Sequence, residues 1–413
     1  MKTTLFLFLL ALTLGLASCK KEETKAGDIK NVPLTTKQQQ LVDQSNAFGF
    51  NLFRKAAEIS GTGKNMMLSP LSISMALGMT RNGAANATLD SMTTTLGFNG
   101  LTDQEINESY KYILETFSTL DPKVDLSIAN SIWSRNTFSV IEAFKATNQT
   151  YFNASVTPLD FNDPSSVTTI NNWVSDNTND LIPKIVDQIG PDMVMYLINA
   201  VYFKGQWRYQ FEKEKTAPKT FYLADNSQVQ VESMLQRANL QYFKGSVFQA
   251  VELPYNQGNY NMNILLPDAG TSLADVIALL TQENWQSWKQ GFVETDVQLQ
   301  IPKFKYEYEE KNMIPILAGL GMGIAFAPDF ADFTRINSEG GLYISEVKQK
   351  TYIETNEEGT EAAAVTSVGV AVTTIGIDPQ PVSFIADHPF VYLITEKSTG
   401  TILFIGTVMN PAL

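Results

Sequence analysis

The chain of 413 residues contains one cysteine, Cys19, and one histidine, His388. These two residues are too few for a zinc site, and Cys-nucleophile or Ser-His-Asp catalysis lacks its parts. His388 lies in the segment ADHPF before an apolar strand pattern, which favours a structural role over that of a lone general base. The sequence also has no Gly-x-Ser-x-Gly nucleophile elbow. This inventory argues against the common hydrolases.

Signatures of nucleotide and nucleic-acid binding are missing as well. Residues 319–323 are spaced G-x-G-x-G after a helical pattern, whereas a dinucleotide loop needs G-x-G-x-x-G after a strand. This spacing predicts a helix end and a tight turn. The segment GTGK at 61–64 lacks the first glycine and the Ser/Thr of a phosphate loop, so it also predicts a turn. The formal net charge of −13 argues against a nucleic-acid partner, which needs a basic face.

The N-terminus has the pattern of an export signal. Its apolar run, 5–16, follows a lysine and is too short to span a membrane. Residues 16–19 (LASC) resemble a bacterial lipobox, which implies a signal peptide over 1–18 and lipid attachment at Cys19; an ordinary signal peptide with an incidental cysteine is the alternative. The polar stretch that follows predicts a flexible tether over 19–40. The sequence therefore predicts an exported, membrane-anchored lipoprotein, periplasmic or at the cell surface.

The rest of the chain is predicted to be one α+β domain, 41–413. With 44% hydrophobic and 18% charged residues it is globular in composition, and no Pro-, Gly- or Ser-rich linker divides it. Ser69-Pro70 predicts a helix start. Helices are predicted over 41–58, 70–81, 102–118, 141–152 and 166–179. Strands are predicted over 194–204, 229–235, 247–254, 260–266, 295–304, 342–356, 391–395 and 401–408.

One segment near the C-terminus, EEGTEAAAVTSVGVAVTTIG (357–376), alternates like a strand and contains no basic residue. One face carries small residues and then β-branched ones: Thr360, Ala362, Ala364, Thr366, Val368, Val370 and Val372. The opposite face is less polar than that of most surface strands. By itself the pattern is equally consistent with a strand that is already buried in a sheet.

Several segments together resemble the serpin family, in the family's order from about residue 41 to the C-terminus. They are NMMLSPLSISMALGMTRNGAANAT (65–88), NAVYFKGQWRYQF (199–211), VELPY (251–255), IPKFKYEYE (301–309), LAGLGMGIAFAPDFADFTRI (317–336), NEEGTEAAA (356–364) and ADHPFVYLITEKSTGTILFIGTVMNP (386–411). The resemblance implies three β-sheets, about nine helices and an exposed reactive centre loop. It also implies a protease inhibitor rather than an enzyme, without a cofactor, and we expect a monomer.

In inhibitory serpins a protease cleaves the loop, and the hinge segment then inserts as a strand into the largest sheet, carrying the acyl-linked protease with it. The resemblance places the hinge at Glu357, Glu358, Gly359, Thr360, Glu361, Ala362, Ala363 and Ala364. The small residues at 360, 362 and 364 suit insertion between packed neighbours, and Glu361 points outward. Gly359 is expected to provide the bend.

The scissile bond implied by the resemblance is Thr373-Thr374, about fourteen residues after Gly359, within a window of 372–377. Counting back from Pro389 gives Asp378-Pro379 instead, a poor bond because proline follows it. No Lys or Arg lies between 361 and 388, so trypsin-like proteases lack the residue that they recognise. Elastase-like or subtilisin-like serine proteases are the expected targets, with papain-like cysteine proteases as a further option.

The resemblance also implies a region that governs sheet opening. Its members here are Ser69, Ser72, Asn199, Gln349, Trp207 and Tyr255. The family often has histidine where this chain has Gln349, so opening triggered by protonation is not expected there. Ser69 is equally well explained as a helix N-cap, and Trp207 and Tyr255 as core residues. A non-inhibitory serpin that acts as a carrier or surface protein is the alternative function, which a charged or bulky residue at 360, 362 or 364 would have favoured.

Overall fold

The computed structural model describes residues 29–61, 63–360 and 380–413. These residues form an α+β fold in which helices surround a six-stranded and a nine-stranded sheet. Within these ranges, no helix combines the length and hydropathy that crossing a membrane requires.

Several helices start at residues whose side chains cap them. Thr35 and Thr102 each form a capping box with the residue three positions later, and Ser69 caps a helix with proline at its first position. Nine α-helices lie in the described ranges: α1 (Thr36–Ser60), α2 (Pro70–Arg81), α3 (Asn86–Thr95), α4 (Asp103–Phe117), α5 (Glu142–Phe152), α6 (Ser165–Asn177), α7 (Leu273–Ala278), α8 (Gln282–Gln290) and α9 (Ile314–Leu317). The prediction of α2 is confirmed, while α3 was not predicted.

The predicted boundary between tether and domain is wrong. Helix α1 begins at Thr36 rather than at residue 41, because Thr35 and Gln38 form a capping box. The residues before it also contact the domain: Lys30 Nζ donates to the carbonyl of Leu120 at 2.8 Å, and Val32 is buried. The described part of the predicted tether, residues 29–40, is therefore part of the folded domain.

Fifteen strands are assigned in the described ranges: β1 (Met66–Leu68), β2 (Val124–Arg135), β3 (Ser155–Leu159), β4 (Met195–Gln206), β5 (Ala217–Tyr222), β6 (Gln228–Lys244), β7 (Phe248–Pro254), β8 (Tyr260–Pro267), β9 (Val293–Pro302), β10 (Phe304–Glu310), β11 (Gln349–Thr355), β12 (Gly359–Thr360), β13 (Val382–Ile385), β14 (Phe390–Glu396) and β15 (Ile402–Val408). The predicted strand 342–356 is too long, since residues 342–348 are not in a strand. The first half of the chain also contains β2 and β3, which were not predicted.

The six-stranded sheet has the order β10-β11-β12-β4-β2-β3, and the other has the order β1-β15-β14-β8-β7-β6-β9-β13, with β5 also on β6. The 17-residue strand β6 joins two layers of the second sheet: its first part pairs with β5 and β9, and its last four residues pair with β7. The three sheets that the resemblance implied are thus present, with two of them continuous through β6.

The main hydrophobic core lies between these sheets and under α1, α2 and α4, and a smaller core lies under α6 against the other face of the six-stranded sheet. Alternate residues of β4 therefore face different cores. Leu197 and Phe203 pack in the main core, whereas Ile198 and Ala200 pack under α6. The predicted turn in the G-x-G-x-G segment is observed at Gly321, whose φ is 114°.

Candidate functional site

The six-stranded sheet contains a gap beside its central strand. Strand β12 is only two residues long, and it separates β11 from β4 at one end alone. This end, beside Thr355 of β11 and Gly205 of β4, is called the upper end of the gap. Within the described ranges, no strand lies beside the rest of this edge of β4 or of β11. A cavity of about 670 Å³ lies between them, lined by α2, β4 and the two chain segments 185–195 and 341–350.

A tight turn carries the chain from β11 into β12. Asn356 and Gly359 exchange backbone hydrogen bonds of 2.9 and 3.3 Å, and Asn356 Oδ1 accepts from the N–H of Glu358 at 3.0 Å. Glu357 and Glu358 thus form a two-residue loop. Gly359 does not provide the bend that was expected of it. A Cβ there would lie 2.1 Å from the carbonyl oxygen of Gly205, so glycine is needed for close approach of two strands.

Thr360 is seated on two stacked aromatic rings. Its Cα pairs with Thr355 on β11 and with Gly205 on β4, and its hydroxyl lies 2.7 Å from that of Tyr255. Tyr255 stacks on Trp207 with 4.5 Å between ring centroids. Burial raises the pKa of Tyr255 far above its ordinary value. The two aromatic residues predicted for the sheet-opening region therefore lie beneath the first inserted residue.

Trp207 also holds the turn directly. Its backbone N–H donates to the carbonyl of Glu358 at 2.8 Å, and its indole Nε1 donates to the carbonyl of Asn356 at 2.9 Å. Trp207 therefore holds the loop directly and supports Thr360 through Tyr255.

Two ion pairs fix the acidic loop. Glu357 is buried and pairs with Lys303 at 3.1 Å, while Glu358 pairs with Lys213 at 2.7 Å. Burial raises the pKa of Glu357, but hydrogen bonds from its own backbone, the Thr216 hydroxyl and Lys303 outweigh burial and lower it overall. Glu357 is therefore held in its ionised form.

The four polar residues predicted to control sheet opening lie in two places. Gln349 exchanges side-chain hydrogen bonds of 3.0 and 3.2 Å with the backbone of Ser69, whose hydroxyl caps α2 by accepting from the N–H of Ser72. Asn199, on β4, instead donates to Asn130 at 2.6 Å. Ser72, Asn199 and Gln349 line the cavity, so the cluster is divided by the gap rather than bonded across it.

His388 lies at the start of β14, with Nδ1 2.8 Å from Asp387 Oδ1 and Nε2 2.9 Å from the carbonyl oxygen of Pro267. Burial lowers its pKa, but these two partners raise it overall. It is outside the gap. The predicted hinge residues Glu361, Ala362, Ala363 and Ala364, the predicted bond Thr373-Thr374 and the predicted lipidation site Cys19 lie outside the described residues.

Sequence reasoning missed the distant partners of this site. Lys213 and Lys303, which hold the acidic turn, are 145 and 54 residues from Glu358 and Glu357 in sequence. Asn130 is 69 residues from its partner Asn199. Local pattern carries no signal for such pairs, although two adjacent glutamates before a glycine suggest that cations are needed nearby.

These observations define a class of protein: one whose six-stranded sheet holds the first residues of an extra strand, with no described strand in the remaining space beside them. The sequence model "Serpin (serine protease inhibitor)" matches residues 43–411. Iripin-2 of Ixodes ricinus is 35% identical over 375 residues, which cover 89% of this chain and 93% of the relative. The chain belongs to the serpin family.

Solved structures support the same family assignment. The native state of the thermophilic serpin tengpin aligns with a TM-score of 0.82 and 36% identity, covering 92% of this chain and 96% of that chain. Human thyroxine-binding globulin, solved with thyroxine, aligns with a TM-score of 0.82 and 26% identity, covering 91% and 99%. The prediction of family and fold class is confirmed.

Glu357→Gln should weaken the acid sensitivity of the intact protein. Because the pKa of Glu357 lies below 4.5, its contribution to stability is complete above that pH and is lost as the pH falls through the lowered value. Melting temperatures measured by calorimetry between about pH 3 and 7 should fall less in the variant than in wild type. Glu309→Gln, at an exposed site on β10, is the control. Equal acid sensitivity of the Glu357 variant and wild type would show that the ion pair does not support the fold.

Proposed function

We propose that the protein inhibits a protease as a suicide substrate, by inserting its cleaved loop as a strand between β4 and β11. The observation that carries this proposal is the seating of Thr360 between two strands whose remaining edges have no neighbouring strand among the described residues. The family supports protease inhibition in general. The mechanism and target for this chain are our inference.

The register at β12 predicts where each further residue would pair. Gly359 lies opposite Gln206 and Thr360 opposite Gly205, so each step forward from β12 corresponds to one step back along β4. Continuing this antiparallel register would place Ala364 opposite Val201 and Val370 opposite Met195, the first residue of β4. Ten residues, 361–370, would then fill the free edge over about 33 Å.

Side-chain direction supports the same proposal. Thr360 faces Tyr255 and the main core, so every second residue after it would face that core. Those residues are small and then β-branched, which suits a space bounded by α2. Glu361 would point to the opposite face, toward α6. An unpaired charge on the core side would be costly to bury.

The chemistry needs one covalent step. The protease serine attacks the carbonyl carbon of residue 373, the bond to the nitrogen of residue 374 breaks, and that nitrogen leaves with a proton while an ester joins the two proteins. Strand insertion then moves the ester away before water cleaves it. With no Lys or Arg in the loop, we infer an elastase-like or subtilisin-like target.

Export and a lipid anchor at Cys19 belong to the same proposal. Nine residues lie between Cys19 and Ile29, the first residue of the described segment that packs on the domain. A tether of that length reaches at most about 35 Å. An inhibitor held so close to the membrane would protect the cell surface or periplasm from proteases.

Mixing the protein with pancreatic elastase should give a covalent complex that survives denaturing electrophoresis. Loop cleavage should also raise the melting temperature, since insertion pairs two free strand edges. Mass spectrometry of the released fragment locates the cleaved bond, expected within 372–377. Cleavage by every protease of a serine and cysteine panel without a complex, together with no rise in melting temperature, would refute the mechanism.

Thr360→Arg should convert the protein from an inhibitor to a substrate. Thr360 is buried on the core side, and an arginine there would be desolvated without an anionic partner. The stoichiometry of inhibition should rise at least about tenfold, because insertion slows relative to hydrolysis of the ester by about 1.4 kcal/mol or more. Thr360→Ser keeps the hydroxyl that meets Tyr255 and should behave like wild type. Unchanged stoichiometry in Thr360→Arg would exclude insertion at this site.

A second candidate function is that of a carrier, and a second cavity favours it. This cavity, of about 380 Å³, lies between α8 and the nine-stranded sheet, and Trp285 and Lys289 line it. Burial lowers the pKa of Lys289, and among the described residues no carboxylate forms an ion pair with it. The indole N–H of Trp285 is buried without an acceptor. A buried indole N–H without an acceptor, beside an ammonium group without an ionic partner in the described part of the chain, suits a small organic anion.

Titration with 8-anilinonaphthalene-1-sulfonate tests the carrier function. Lys289→Met should weaken binding at least about tenfold, since it removes the cation that lines the cavity while keeping the apolar stem. Lys244→Met, which removes an exposed ion pair with Asp268, is the matched control and should bind like wild type. The carrier proposal fails if wild type does not bind the dye or if Lys289→Met binds it equally well.

A further inference from the structure

The segment that connects α6 to β4 ends in eight residues, 187–194, which we call the strap. The strap lines the cavity on the side of α6. None of its residues is fully buried, whereas Ile182 and Val186 before it are packed in the core under α6. Ile189 and Met193 of the strap are only half-buried against that core, so polar contacts contribute to the position of the strap.

Arg135, the last residue of β2, makes most of those contacts. Its Nε donates to the carbonyl of Met193 at 3.1 Å, and its Nη2 donates to the carbonyl of Pro191 at 2.8 Å. Its backbone N–H donates to the carbonyl of Val194 at 2.8 Å. The guanidinium is itself held over the ring of Phe161, 5.5 Å from the centroid, and by Asn162 Oδ1 at 3.1 Å. A planar fork of donors is suited to two carbonyls of one bend.

Held in this way, the strap reaches the opposite wall of the cavity. The sulfur of Met193 lies 4.0 Å from the hydroxyl oxygen of Ser345, in the segment that precedes β11. Met193 thus belongs to the β4 side of the gap and contacts the β11 side. The strap crosses the lower mouth of the cavity, at the end farthest from Thr360.

We propose that Arg135 is a positioning residue that slows the final part of strand insertion by holding the strap across the gap. This inference rests on the proposed inhibitory function. The register of β12 would bring residues 366–370 to the lower half of β4, next to the strap. Their outward side chains need the space that the strap lines, so the strap must move before the strand is complete.

The consequence is a competition between two rates. While the strand is incomplete, the ester to the protease can be hydrolysed, and the protein is then spent as a substrate. A strap held firmly favours that outcome, but it also protects the uncleaved molecule from filling its own gap prematurely. Arg135 therefore sets a balance between efficient inhibition and the lifetime of the intact form.

Uptake of a fluorescent peptide with the sequence of residues 361–373 measures insertion without any protease. Arg135→Ala should take up the peptide about tenfold faster than wild type, a change of about 1.4 kcal/mol in the barrier. Arg135→Lys keeps the charge and the backbone bond to Val194 but lacks the two-pronged donor, so its rate should lie between the two. Arg237→Ala is the matched control, because it removes an exposed arginine that pairs with Asp296 on the nine-stranded sheet, and it should match wild type.

The competing outcomes separate this inference from the proposed function. If wild type takes up the peptide and Arg135→Ala does so no faster, the role of Arg135 is refuted while the insertion mechanism stands. If wild type takes up no peptide and its cleaved form melts no higher than the intact form, the proposed function fails and this inference fails with it. Faster uptake in Arg135→Ala with a melting temperature within about 3 °C of wild type supports positioning rather than general loosening of the fold.

Discussion

The unpaired backbone edges of β4 and β11 are the constraint on which the rest of this molecule depends. An interior strand normally shares its N–H and C=O groups with neighbours on both sides, and unshared groups cost free energy unless water reaches them. Here β4 has β2 on one side and, below Gly205, no described strand on the other. The described part of the six-stranded sheet therefore lacks strand neighbours along these two edges, and only an extended segment could pair with both of them.

The surrounding contacts keep this incomplete state defined. Trp207 and Tyr255 support the first inserted residue, while Lys213 and Lys303 hold the acidic turn above it. None of these contacts reaches the lower half of the gap. In the proposed mechanism insertion begins at this upper end, whereas the strap lines the lower end. Separate regions would then control the beginning and the end of one movement.

Local signals in the sequence predicted those parts of the fold that local interactions determine. Ser69-Pro70 predicts the start of α2, and the serpin resemblance predicts a role for Trp207 and Tyr255, which stack on each other beside Thr360. The spacing of Thr35 and Gln38 is a local signal for the start of α1 at Thr36. The strand predicted at 342–348 is not formed, because a strand needs a neighbour and the gap offers none. The ion pair of Glu357 joins residues 54 apart, for which no periodicity gives a signal.

The seating of Thr360 also determines which peptides can compete for the gap. Free strand edges do not distinguish the protein's own segment from any other extended chain with small side chains. In the proposed mechanism, cleavage releases a segment that is covalently joined to a residue already in place and has an effective concentration of the order of millimolar. In the cleaved form, a foreign peptide at micromolar concentration is therefore outcompeted by mass action. In the proposed mechanism, the gap would select the protein's own segment because that segment is covalently joined to Thr360, which is already in place.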